Sequence, residues 1–279
     1  MNRFISATFL TVALIWCSTS AHAGGWTQPK GKGYFKLSQQ IVRAESLFAP
    51  NGSKTEIPKV SGNTTSLYGE FGLLDRVTLV GYMPFYTNFS VDDEEFVRLM
   101  LDSTSGVGDW DVGVRIGILT DGPTVVSIQV LAGLPLGDSG NDFVLWTGDG
   151  EFNQLLSLQV GHSLYPAPGY LKGEIGYNNR QGDDDPNENY SDEFRYSLEA
   201  GYTVAERLGV TVWLRGIEVL GKADDEFRSR YEIEYLSFGP QLDFYVTPNA
   251  GVTASMSTFT RAHSMLDAPT WEFGVFLKL

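Results

Sequence analysis

Charged side chains set at every second residue, among apolar neighbours, carry most of the chemistry in this sequence. Lys36, Arg115, Lys172, Arg180, Arg195, Arg215 and Lys278 bring seven positive charges to such runs, and Glu70, Asp109, Asp111, Glu174, Glu199, Asp243 and Glu272 bring seven negative ones. A wall that selects ions by charge shows one sign. Equal numbers of both signs therefore point to ion pairs between neighbouring side chains. If such a pair is buried, removing one partner strands the other at a cost of about 3–5 kcal/mol. Covalent catalysis finds less support, since it needs a nucleophile and a base within reach of each other. Beyond the first 23 residues the histidines are His162 and His263. His263 is followed by Ser264, but adjacent residues on an extended chain point to opposite sides. The single cysteine, Cys17, lies in the N-terminal leader. The expectation is a non-enzyme with no cofactor, no disulfide and no metal.

The elements that must position these charges are strands. Asp109, Asp111, Gly113, Arg115 and Gly117 alternate with Trp110, Val112, Val114, Ile116 and Ile118, and the same period of two recurs at 194–204 and 270–279. One face is polar or small, and the other suits lipid. Twelve such strands are expected, at 33–43, 65–73, 77–85, 108–119, 125–135, 151–161, 169–180, 194–204, 209–219, 236–245, 250–260 and 270–279. The alternation slips at Tyr235 and Leu236, where a bulge or a strand start is expected. Aromatic residues near strand ends, Tyr34, Phe85, Trp110, Phe152, Tyr170, Tyr177, Phe244 and Trp271, are expected to form the two girdles at the membrane interfaces.

Connections alternate between short (74–76, 120–124, 162–168, 205–208, 246–249) and long (44–64, 86–107, 136–150, 181–193, 220–230, 261–269). Short periplasmic turns and longer extracellular loops mark an outer-membrane barrel. A soluble sandwich or lipocalin-like barrel also alternates apolar and polar residues, but has no reason to keep that order of loops. The fold class expected is an all-β, antiparallel up-and-down transmembrane barrel. Residues 1–23 read as a cleaved secretory signal peptide, with basic Arg3, an apolar run and an Ala21-His22-Ala23 cleavage site, leaving 24–279 as the barrel. Bulky Ile15 and Trp16 before Cys17 argue against a lipoprotein signal.

Charge narrows the partners. The formal net charge of −14 argues against nucleic acid. The long connections hold 20 acidic against 7 basic residues, so most of the negative charge is expected outside the cell. Asp183, Asp184 and Asp185 form the densest cluster. Their spacing fits no EF-hand and reads as a solvated loop. Expected partners are outer-membrane lipid and lipopolysaccharide, the barrel-insertion machinery, and a small-molecule substrate.

At Leu73-Leu74-Asp75-Arg76-Val77-Thr78-Leu79, at Gly106-Val107-Gly108-Asp109-Trp110 and at the opening 25–34, the chain resembles the meta-pathway phenol-degradation-like family of outer-membrane barrels. The resemblance implies a transporter-like barrel that takes up small aromatic or hydrophobic compounds. One departure is Leu279 at the end, where barrels recognised by the insertion machinery usually carry an aromatic residue.

Twelve strands lie between the filled interior of eight and the aqueous channel of sixteen. A path through the middle is therefore expected to be narrow or gated. The segment 24–32 is too short for a plug domain, so the expected constriction is the loop 86–107, with Phe96, Leu99 and Met100 on one face of a short helix. Two functions follow: passive passage of a small molecule, or a closed structural barrel that contacts polysaccharide or lipopolysaccharide through acidic loops.

Overall fold

The computed structural model describes residues 25–92, 103–138, 146–181, 190–221 and 232–279. The leader 1–23, the gate residues Phe96, Leu99 and Met100, and Asp183 to Asp185 lie outside the described residues.

Fourteen strands form one antiparallel sheet: β1 (Gly33–Phe48), β2 (Lys54–Leu74), β3 (Val77–Asp92), β4 (Ser103–Gly106), β5 (Trp110–Leu119), β6 (Thr124–Leu134), β7 (Phe152–Ser163), β8 (Gly169–Gln181), β9 (Asp192–Ala205), β10 (Leu208–Leu220), β11 (Glu234–Thr247), β12 (Ala250–His263), β13 (Met265–Leu266) and β14 (Thr270–Lys278). Each long strand pairs with its sequence neighbours, and β1 pairs with both β2 and β14. The sheet therefore closes. Counting β4 with β5 and treating β13 as a short addition to β1, twelve strands make an antiparallel barrel without a free edge, which satisfies the backbone where water is absent.

The outer face is apolar and open. Leu156, Ile175, Leu198, Val212, Phe244, Phe273 and Val275 are all exposed, Leu198 at 61%. A band this wide would aggregate in water and is matched only by hydrocarbon. The inner face carries the opposite pattern, with Thr78, Ser127 and Asn178 at 0% exposure.

Two expectations change in detail, and a third is met. The loop expected at 44–64 is mostly strand, because β1 and β2 continue upward and turn only at 49–53, where Gly52 adopts φ 77°. Their register slips between Ala44 and Ser46, opposite Pro58. The missing N–H of that proline breaks the ladder and hides the strand from a reading by alternation. Likewise β3 runs on to Asp92, into the loop expected from residue 86. The slip expected at Tyr235 and Leu236 coincides with the start of β11 at Glu234 and a register shift between Leu236 and Ser237.

The pairing between β3 and β5 is interrupted. Its ladder ends at Tyr82 with Asp111 and resumes at Thr87 with Gly106 on β4. Between them the described backbone bond is Gly108 N donating to Pro84 O at 2.7 Å. Pro84 cannot donate, so few backbone bonds cross this seam.

Candidate functional site

Alternation turns one face of each strand inward, and the inner face divides into two unlike halves. The first half, on β2, β3 and β5 to β8, is filled by the N-terminal segment 25–32. This corrects the expectation that so short a segment cannot obstruct the barrel. It does so as a strap rather than as a domain. Trp26 lies against Gly161, where a Cβ would come within 2.4 Å of the indole, and packs edge-on against Tyr170 with ring centroids 6.2 Å apart. Gln28 N donates to Thr78 Oγ1 at 2.7 Å, and Lys30 N to Asp75 Oδ1 at 3.0 Å. Gly31 N donates to Gly72 O at 2.8 Å. A Cβ at Gly72 would sit 2.1 Å from Pro29 O, so only glycine admits the strap there.

Beneath the strap lies the charge pair Glu70 and Arg115. Arg115 Nη1 donates to Glu70 Oε1 at 3.0 Å and to Trp26 O at 3.1 Å, and its Nε and Nη2 donate to Gln129 Oε1 at 3.1 and 2.9 Å. Glu70 also accepts from Gln28 Nε2 at 2.7 Å and from the Tyr68 hydroxyl. Arg115 is 2% exposed and Glu70 7%. Such a pair is held by its partners rather than by water.

At the extracellular end of the same half, Arg180 gathers three carboxylates: Asp149 at 2.8 Å, Glu151 at 3.2 Å and Glu193 at 3.0 Å. Its guanidinium lies 4.4 Å from the centre of the Tyr190 ring. Glu151 accepts from Tyr190 N and Glu232 from Ser191 N, so these contacts tie together chain from three connections. Arg195 shares Glu193 at 2.7 Å. Asp109 stands just outside β5 and accepts from Gly137 N at 2.8 Å and Asp149 N at 2.7 Å. Burial pushes its carboxyl above the ordinary aspartate range despite these bonds.

The second half, on β9 to β12, β14 and β1, is open. Lys36 pairs with Glu272 at 2.6 Å, and Lys172, at the border, stands 3.8 Å from Glu174. Glu199 accepts from the Tyr170 hydroxyl at 2.6 Å, and Asp243 from Gln241 Nε2 at 3.0 Å. Lys278 donates to the Tyr245 hydroxyl at 2.9 Å. Arg215 lies 4.5 Å over the Trp213 ring and is exposed although it faces inward. Asp243, Trp213, Gln241, Ser255 and Ser257 are half-buried. The small inner-face residues beside them, Ser38, Thr211, Ser237 and Thr253, are buried.

Two aromatics expected in the girdles turn inward. Tyr34 stacks on Phe276 at 6.0 Å, and Tyr170 meets Trp26. Small inner-face partners make room for them, since Gly201 lies beneath the Tyr170 ring. The sequence reading missed Trp26, Gln28, Glu151 and Glu193. A signal was present in the column of inner-face glycines at 72, 117, 161 and 201 near the short turns, which marks a close approach by backbone or ring. The two histidines lie apart at opposite ends: His162 Nδ1 bonds Thr124 Oγ1 at 2.8 Å, and His263 Nδ1 lies 3.3 Å from Glu234.

Residues 54–262 match the family described as "Putative MetA-pathway of phenol degradation". The chain belongs to this family. Among solved structures, the barrel is similar to the COG4313 outer membrane channel from Pseudomonas putida F1, with a TM-score of 0.75 at 16% identity over 92% of this chain and 98% of that one. It is also similar to the NanC porin (TM-score 0.56, 10% identity, 88% of this chain and 100% of that one). The KdgM porin follows (0.52, 6%, 88% and 99%). At these identities the likeness establishes the fold. No curated protein matches the sequence.

Proposed function

We propose that this family member is an outer-membrane barrel that passes small molecules passively along the open half of its inner wall, beside the strap. The observation that carries the reading is the contrast across the interior: the buried Glu70, Arg115, Gln129, Gln159 and Asn178 on β2 to β8 against the half-buried or exposed Lys36, Trp213, Arg215, Gln241 and Asp243 on β1, β10 and β11. A barrel built only as a structural post has no use for an exposed inward arginine. The channel and porins of similar fold support the same reading by analogy. Residues 1–23 are removed on export, and the apolar band sits in outer-membrane lipid with the acidic loops facing lipopolysaccharide.

The solutes are small and aromatic or hydrophobic. Support for this comes from the family description and from the aromatic lining of Tyr34, Trp213, Tyr235, Tyr245, Phe259 and Phe276. The seam between β3 and β5 offers such solutes a lateral way into the bilayer, since few backbone bonds need to break there. The rival reading, a sealed barrel, is favoured by the strap at one end and the Arg180 clasp at the other. Liposomes containing the folded barrel separate the two. Swelling in small neutral solutes and discrete current steps in planar bilayers support passage, and their absence supports the sealed barrel.

A further inference from the structure

Arg215 and Lys278 are inward cations without a carboxylate partner among the described residues, and of the two Lys278 donates to the Tyr245 hydroxyl. Glu193 is taken by Arg180 and Arg195, Glu199 by the Tyr170 hydroxyl, and Glu174 lies nearest Lys172. Among the described residues no carboxylate lies within ion-pair distance of the Arg215 guanidinium. Its neighbours across the strand ladders are Ser197 on β9 and Ser237 on β11, both small and uncharged. It is exposed at mid-strand, with Val212 and Leu214 on the lipid side, so its exposure is to the interior. Water reaches this guanidinium, and with no carboxylate partner among the described residues its donor fork is available to a visiting anion.

The surroundings give that anion a shape. Trp213 lies flat beneath the guanidinium, 4.5 Å from it. Tyr235, two residues along β11 from the Ser237 that faces Arg215, stands edge-on to Phe259 with centroids 5.9 Å apart. A planar donor fork recognises a carboxylate through two parallel hydrogen bonds. The aromatic faces beside it accept a ring. We propose that Arg215, with Trp213 and Tyr235, forms a recognition point for a small aromatic carboxylate within the open half of the barrel. The assignment rests on the transport reading and narrows its substrate class.

Benzoate is the probe. Its binding to the folded barrel in micelles is followed by calorimetry, with benzyl alcohol and acetate as the neutral and ring-less controls. The parent is expected to bind benzoate more tightly than either control. Arg215→Gln should weaken benzoate binding roughly tenfold or more, the loss of one charge-assisted contact, and leave benzyl alcohol unchanged. Trp213→Leu should weaken both ring compounds. Arg215→Lys keeps the charge without the fork, guards against a misfolded glutamine variant, and should fall between. Equal benzoate affinity in the parent, Arg215→Gln and Arg215→Lys would overturn the site. Bilayer recordings keep the two ideas apart. A conducting parent with unaltered benzoate binding in the variants removes the recognition point and leaves the channel. Arg215-dependent binding in a barrel that passes no current removes the channel and leaves the recognition point.

Discussion

The two halves of the inner wall start from the same sequence device, a charge at every second residue, and end in different states. On β2 to β8 the strap brings Trp26 and Gln28 onto Arg115 and Glu70, and that charge pair is left with almost no exposed surface. On β9 to β14 and β1 no strap passes, Lys36 and Glu272 form a pair, and Arg215 lies over the Trp213 ring with no carboxylate partner among the described residues. A polar inner face therefore does not by itself decide whether a barrel is open. What lies across it does, and here the short segment before the first strand closes one side alone.

The contrast is sharpest in stability. Arg115→Met leaves Glu70 buried without a cation, and the expected loss is about 3–5 kcal/mol, read as a lower urea midpoint for unfolding in micelles. Arg215→Met should leave that midpoint nearly unmoved. Equal losses at the two sites would erase the distinction between the halves. The outer face provides the next test. Val114, between Leu79 and Val130 in the ladders, points to lipid, and Val114→Arg should cost about 2–4 kcal/mol while Val114→Leu is close to silent. A harmless Val114→Arg would mean that the inner and outer faces have been exchanged. The smallest effect is expected at Lys36→Met. Water reaches this pair more readily than it reaches Arg115, so the loss should be about 1 kcal/mol or less.

Much of this was legible in the sequence because a barrel strand writes its two faces in a period of two. The twelve strands and the order of short and long connections follow from that period, and so does the inward course of Lys36, Glu70, Arg115 and Glu272. What was not legible depends on contacts between residues far apart in the chain. Nothing local in Trp26 and Gln28 announces partners at Gly161, Tyr170, Thr78 and Glu70. Tyr34 and Tyr170 were assigned to the girdles because an aromatic ring near a strand end is the usual interfacial residue, yet both occupy inner-face positions of their strands. The upper part of the β1–β2 hairpin, residues 44–64, reads as a loop because Pro58 and Gly62 interrupt the alternation while the chain continues extended. Phe96, Leu99 and Met100 keep their standing as proposed gate residues. Deleting residues 94–101 should raise solute permeability, but less than removing the strap.

The central claim is that a conducting path runs past the strap, and the most direct measurement is the single-channel conductance of the parent beside a variant lacking residues 25–30, both checked for folding by their altered mobility on unboiled gels. The account predicts small discrete steps for the parent and steps several-fold larger once the strap is gone. A folded parent and a folded deletion variant that both show no steps would contradict it.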